Sequence, residues 1–189
     1  YLCDPTTVLR YEPEARRARL EAVHEPAIAL DHLRGGSQLV RFDDGWICLT
    51  HEVAMIDTWN RRYLHRFVRF DRAFRVAAIT EPFRFTDEPI EFAAGLAHDA
   101  ARDALLASFG VQDARAMMAT IDAAAVRRAL VGVPGVGAAG ARSGEMSGAG
   151  HATAEPRRPH GRHPIPGGAA AFPAHAAVDR GDARDRPRP

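Results

Sequence analysis

Apolar and polar residues alternate along the first two-thirds of the chain with the period of two that a half-buried β-strand requires. Thr6 to Tyr11 is β-branched and aromatic and follows a Cys-Asp-Pro turn. Ser37 to Phe42 alternates around Leu39 and Val40, Asp43-Asp44-Gly45 reads as a turn, and Trp46 to Val53 reads as the returning strand. Together they form a hairpin signature. His65 to Phe70 alternates again, Asp71 to Phe74 turns, and Arg75 to Thr80 continues as a strand. Glu91 to His98, Ala104 to Phe109 and Arg115 to Ile121 make a further series, with a turn at 99–103. Ala123 to Leu130, rich in alanine, reads as a short helix.

These strands fall into sets. One set of four starts near Arg34 and a second near Ile90, a spacing somewhat above the ~40–50 residues of common propeller repeats. Residues 1–30 would supply the outer strands of a preceding blade. An antiparallel sandwich also accommodates short strands with regular turns, and spacing alone does not separate the two.

The pattern ends near residue 131. From Gly132 onward the chain is mostly Gly, Ala, Pro, Arg and His, and its one aromatic residue is Phe172. Such a stretch buries too little apolar surface to offset an ordering cost of ~1–2 kcal/mol per residue. The expectation is a folded part over 1–131 and a disordered tail over 132–189. The tail histidines His151, His160, His163 and His175 fit no zinc spacing, so no metal or cofactor is expected. Tyr1 leads straight into strand-like sequence, which suggests a fragment whose N-terminal part lies elsewhere.

Charge narrows the partners. Twenty-five basic residues, all arginine, face 24 acidic ones, for a net charge of +1. No basic stripe marks a nucleic-acid surface. No apolar run nears the ~20 residues of a membrane span. Cys3 and Cys48 make no disulfide framework and read as buried thiols of a reducing compartment, so a cytoplasmic location is expected.

One set of motifs carries a resemblance. Arg34-Gly-Gly-Ser-Gln38 followed by Asp44-Gly-Trp-Ile-Cys-Leu-Thr-His-Glu52 resembles the C-terminal five-bladed β-propeller attached to some bacterial glycosyltransferases. Arg62-Tyr-Leu-His-Arg-Phe67, Ile90-Glu-Phe-Ala-Ala-Gly-Leu96, Ser108-Phe-Gly-Val-Gln-Asp113 and Tyr1-Leu-Cys-Asp-Pro5 extend it over residues 1–131. The same order of elements is distantly similar to the family 130 mannoside phosphorylases. The resemblance implies an all-β fold: a partial five-bladed propeller of about two and a half blades, with a short C-terminal helix. In the phosphorylases a strand histidine helps to bind phosphate, and His51 matches it. Glu52 stands where that family has glycine, and the family's catalytic acid lies in a blade outside this chain.

The candidate residues follow from their chemistry. Arg34 offers a planar fork for a carboxylate, a phosphate or paired sugar hydroxyls, and Gln38 both donates and accepts. Gly35 and Gly36 let backbone approach a ligand or relieve crowding at a narrow axis, and Ser37 lies between them and Gln38. His51 and Glu52 are adjacent on a strand and point to opposite faces. The expectation is that His51 faces the site and Glu52 pairs with an arginine between blades. Tyr63, His65 and Arg66 form a polar-aromatic cluster, half of which must face away. Glu91 and Asp113 are the candidate catalytic carboxylates, since glycoside cleavage needs two at ~5–10 Å. Trp46 and Trp59 read as packing.

The resemblance supports a glycan or sugar as ligand, processed by hydrolysis or, with phosphate as co-substrate, by phosphorolysis, and a transferase domain or further blades as partner in cis. A glycoside-processing enzyme of which this chain is one part, a non-catalytic glycan-binding module and a truncated product without function all remain open.

Overall fold

A computed structural model describes residues 2–57 and 60–134. The described chain is mostly β-structure in three antiparallel sheets, with one short helix. The first sheet comprises β1 (Leu2–Cys3), β2 (Thr6–Glu12) and β3 (Arg17–His24). The chain then forms β4 (Val40–Phe42), β5 (Gly45–Met55), β6 (Arg61–Phe70) and β7 (Val76–Ile79). The third sheet holds β8 (Glu91–Asp99), β9 (Ala104–Val111) and β10 (Arg115–Asp122). Helix α1 (Ala123–Ala129) leads to β11 (Val131–Gly132), which returns to the second sheet beside β7 and gives it the order β11-β7-β6-β5-β4.

The turns are built from the residues that mark them in the sequence. Asp43 takes a left-handed φ of 51° between β4 and β5. Gly45 then passes so close to β6 that a Cβ there would stand 2.1 Å from the Phe70 carbonyl oxygen. Asp71 Oδ1 accepts from the amides of Ala73 and Arg75, closing the β6–β7 turn. Asp99 does the same for Ala101 and Arg102 between β8 and β9. These carboxylates satisfy backbone donors that the turn leaves out of the ladder.

Strand alternation places the core. On β5 and β6, Ile47, Leu49 and Phe67 point toward the third sheet, where Ala93, Leu105, Ala107, Phe109, Val111 and Ile121 meet them. Cys48, Val68 and Phe70 point the other way, onto Cys3 of β1 and onto Leu30 and Leu33. The second sheet is therefore buried on both faces. The Asp122 side chain caps α1 at the Ala124 amide, and Ala123 and Val126 enter the core. Arg127 then reaches back to bind Asp43 and Asp103 at 2.8 Å each, tying the turns of two sheets together.

Three features differ from the sequence reading. The third sheet has three strands rather than four. Residues 34–38 do not form a regular strand, and only a single bridge joins Arg34 to His51. The fold also runs past the composition change, because Gly132 pairs with Ala78 and Val133 is buried among Cys3, Val76 and their neighbours. The expected disorder of the tail concerns residues 135–189, which lie outside the described residues, as does Trp59.

Candidate functional site

The site grows from two chain segments that flank the β5–β6 pair. On the β5 side, Ser37 donates its amide to Leu49 O (2.9 Å), and its Oγ accepts from Leu49 N (2.8 Å). On the β6 side, Thr80 donates its amide to Phe67 O, and its Oγ1 accepts from Phe67 N, both at 3.0 Å. Leu49 and Phe67 are directly opposed, so two hydroxyls complete one rung of the sheet from its two sides.

The next rung carries the chemistry. Arg34 and His51 exchange backbone hydrogen bonds of 2.7 and 3.1 Å, and His65 and Phe83 exchange bonds of 2.7 and 2.9 Å. His51 and His65 are themselves opposed. Opposed residues share a face, so Arg34, His51, His65 and Phe83 form one row aimed toward the third sheet. Tyr63 follows on the same face, and the His51 ring lies between Tyr63 (5.4 Å) and Phe92 (5.0 Å).

From the third sheet, Glu91 closes over this row. Its carboxylate is wholly buried and accepts from the amide of Phe85 (2.9 Å), the amide of Thr86 (2.5 Å) and the Thr86 hydroxyl. Its Oε2 also stands 3.5 Å from His65 Nε2. Neither ring nitrogen of His65 makes a well-formed hydrogen bond, so this approach is electrostatic. Burial opposes the charge on Glu91, but the His65 ring, Thr86 and the Phe85 amide outweigh it and hold the carboxyl below its usual range. The His51 pKa is also lowered, first by burial and then by His65 and Arg34, while a hydrogen bond to the Gly35 backbone opposes the shift.

The sequence candidates separate on this geometry. Arg34, His51, His65 and Glu91 meet around one row. Gly36 relieves crowding, since a Cβ there would stand 2.5 Å from the Leu49 carbonyl oxygen. Ser37 is buried in the rung described above, and Gln38 donates to Leu96 O at 2.6 Å, joining the second sheet to the third. Arg34 and Gly35 remain exposed. Glu52 does point away from His51, but it pairs with Arg66 of the adjacent strand and with His32, so its partners lie within its own sheet and the segment before it. Asp113 sits in the exposed β9–β10 turn at φ 51°, a position that calls for a small polar residue.

Sequence reasoning missed Phe83, Phe85 and Phe92. Phe85 stacks on Phe109 at 4.4 Å and flanks His65 at 5.0 Å, so it walls the histidine in. Phe92 is the aromatic ring of this group that reaches solvent, at 44% exposure. The alternation of Phe83 and Phe85 after Pro82 was the available signal. A separate hollow of about 130 Å³ lies between His24, Glu25, Pro26, Ala27, Arg75 and Val76 and contains none of the candidates.

No family model, no curated protein and no solved structure matches this chain.

Proposed function

We propose that this chain is part of a β-propeller that binds glycan where the seam between its second and third sheets opens to solvent. The observation that carries the reading is the exposed Phe92 ring set edge-on against the buried His51, whose backbone in turn holds Arg34. An exposed aromatic ring offers a surface for the C–H face of a pyranose. On the other side of His51, bridged to it through the backbone, Arg34 supplies donors for hydroxyl or acidic oxygens. The resemblance of Arg34–Gln38 and Asp44–Glu52 to transferase-linked propellers supports the same ligand class, and a glycosyltransferase in cis is the partner that fits it.

The packing supports a longer array of sheets. On the first sheet, Leu9, Tyr11, Leu20 and Val23 project outward and are each at least half exposed. On the third, Leu106, Ser108, Gly110, Ala116, Met118 and Thr120 alternate with the buried core residues and face away from it. Along these faces of β9 and β10 charge is confined to a strand end, at Asp122. Faces of this kind suit further sheets stacked as blades.

Binding is favoured over cleavage by the state of Glu91. A general acid or nucleophile must reach the substrate, and this carboxylate is shut away and taken up by Phe85 and Thr86. A glycan-array screen of the whole chain, wild type beside Phe92→Ala, tests the reading. Binding of a defined glycan that Phe92→Ala abolishes supports it. Absence of binding, or equal binding by both proteins, removes the site.

A further inference from the structure

We infer that the glycan is acidic and that Arg34 recognises a carboxylate on it, an inference that rests on the glycan-binding reading above. Arg34 is anchored along one edge only: Nη1 donates to Asp31 O at 2.6 Å and to Leu33 O at 3.3 Å. No carboxylate of the described residues comes within ion-pair distance of it. Nε and Nη2, the side-on edge of the guanidinium, have no partner among the described residues. That edge presents two parallel N–H groups, the geometry that matches both oxygens of one carboxylate. Anchoring Nη1 orders the group beforehand, so less side-chain freedom is lost when an anion arrives.

The charge around Arg34 agrees. Glu91 is buried and hydrogen-bonded on the β8 side of the row. Glu52 faces the opposite side of the second sheet and is taken by Arg66 and His32. Asp31 projects its own carboxylate into solvent, 4.0 Å from the His32 ring. Arg34 is thus the exposed charged group of the row, while His51 and His65 are buried. A ring bearing a carboxylate, such as a uronic acid, satisfies Arg34 with its acid and Phe92 with its C–H face.

The test is titration of the full chain with oligomers of glucuronate and galacturonate, with the matching neutral glucose and galactose oligomers, and with the corresponding sugar phosphates. Arg34→Ala and Phe92→Ala are compared with wild type, and thermal melts check that each variant is folded. The expected result is binding of a uronate oligomer that weakens with added salt and falls about tenfold or more in Arg34→Ala, the scale of a lost charge-assisted pair. Binding confined to neutral oligomers or sugar phosphates, or uronate binding unchanged in Arg34→Ala, overturns the inference and leaves the glycan-binding reading standing. Binding of no sugar overturns both.

Discussion

His65 Nε2 stands 3.5 Å from Glu91 Oε2, and neither side chain reaches solvent. The two residues come from different sheets, so their contact fixes the second sheet against the third at the end of the seam where the exposed Phe92 lies. Glu91 also holds the loop between them through the amides of Phe85 and Thr86. Glu91→Gln keeps the shape but sets an amide NH₂ among donors. The expected loss of stability is about 2–4 kcal/mol, the range for breaking a buried charged network. Urea unfolding of the two proteins measures it.

Acid should loosen the fold, and two groups set the range. His51 has a folded pKa below the ordinary histidine value, so it is neutral in the fold and takes up its proton more readily when unfolded. Its contribution is whole above pH ~6.5 and is lost as the pH falls below that. The groups facing it are His65 and Tyr63 from β6, Phe92 from β8, and Arg34. Glu91 is also lowered from its ordinary 4.5, so its contribution is whole above that value and is lost below it. Melting temperatures followed from about pH 8 to about pH 3 should therefore fall in two stages, the lower one beginning only below 4.5. His51→Gln should flatten the upper stage and Glu91→Gln the lower. A stability that is level from pH 7 to pH 4 in wild type contradicts this.

Ser37 and Thr80 should matter equally, although they lie 43 residues apart. Each hydroxyl accepts a buried strand amide, from Leu49 and Phe67 respectively. Ser37→Ala and Thr80→Val each leave that amide without its acceptor, at a cost of about 1–3 kcal/mol. Because Leu49 and Phe67 are directly opposed, the double variant should depart from additivity. Denaturant midpoints of the four proteins complete the cycle.

Arg127 lies at the far end of the same seam from Phe92. It binds Asp43 and Asp103 through paired N–H groups and lies over the Phe42 ring at 4.9 Å. All three side chains are about one-third to one-half exposed, so solvent screens the charges. Arg127→Ala should therefore cost about 1 kcal/mol, the upper part of the surface range. Arg127→Lys should recover little, because an ammonium cannot serve both carboxylates with paired bonds. Thermal melts at low and high salt should bring wild type and Arg127→Ala closer together as salt rises.

Local order was legible where short-range chemistry decides it. The Asp43-Asp44-Gly45 turn, the aspartate turns at 71 and 99, strands β5 to β10 and helix α1 all follow from alternation and turn residues. Strand β3 of the first sheet was not assigned, because Arg17, Arg19 and Glu21 belong to a surface ion-pair set with Arg10 and Glu12 that gives no apolar pattern. Strand β11 was missed because its partner β7 lies about 50 residues away, across the third sheet and the helix. At the site, the shared face of His51 and His65 depends on hairpin register, which the pattern alone leaves open. The burial of Glu91 depends on backbone amides of Phe85 and Thr86, which no side-chain motif announces. Most of the Arg34–Gln38 motif serves packing: Gly36 clears the Leu49 carbonyl, Ser37 completes a rung and Gln38 joins two sheets.

Ligand is proposed to meet the protein at Phe92 and Arg34. Backbone amide shifts of the isotope-labelled chain, recorded as a bound glycan is titrated in, test it most directly. The largest changes are expected on Arg34, Gly35, His51, Tyr63 and Phe92. Changes centred instead on the hollow at His24 and Arg75, with those five residues unmoved, would contradict it.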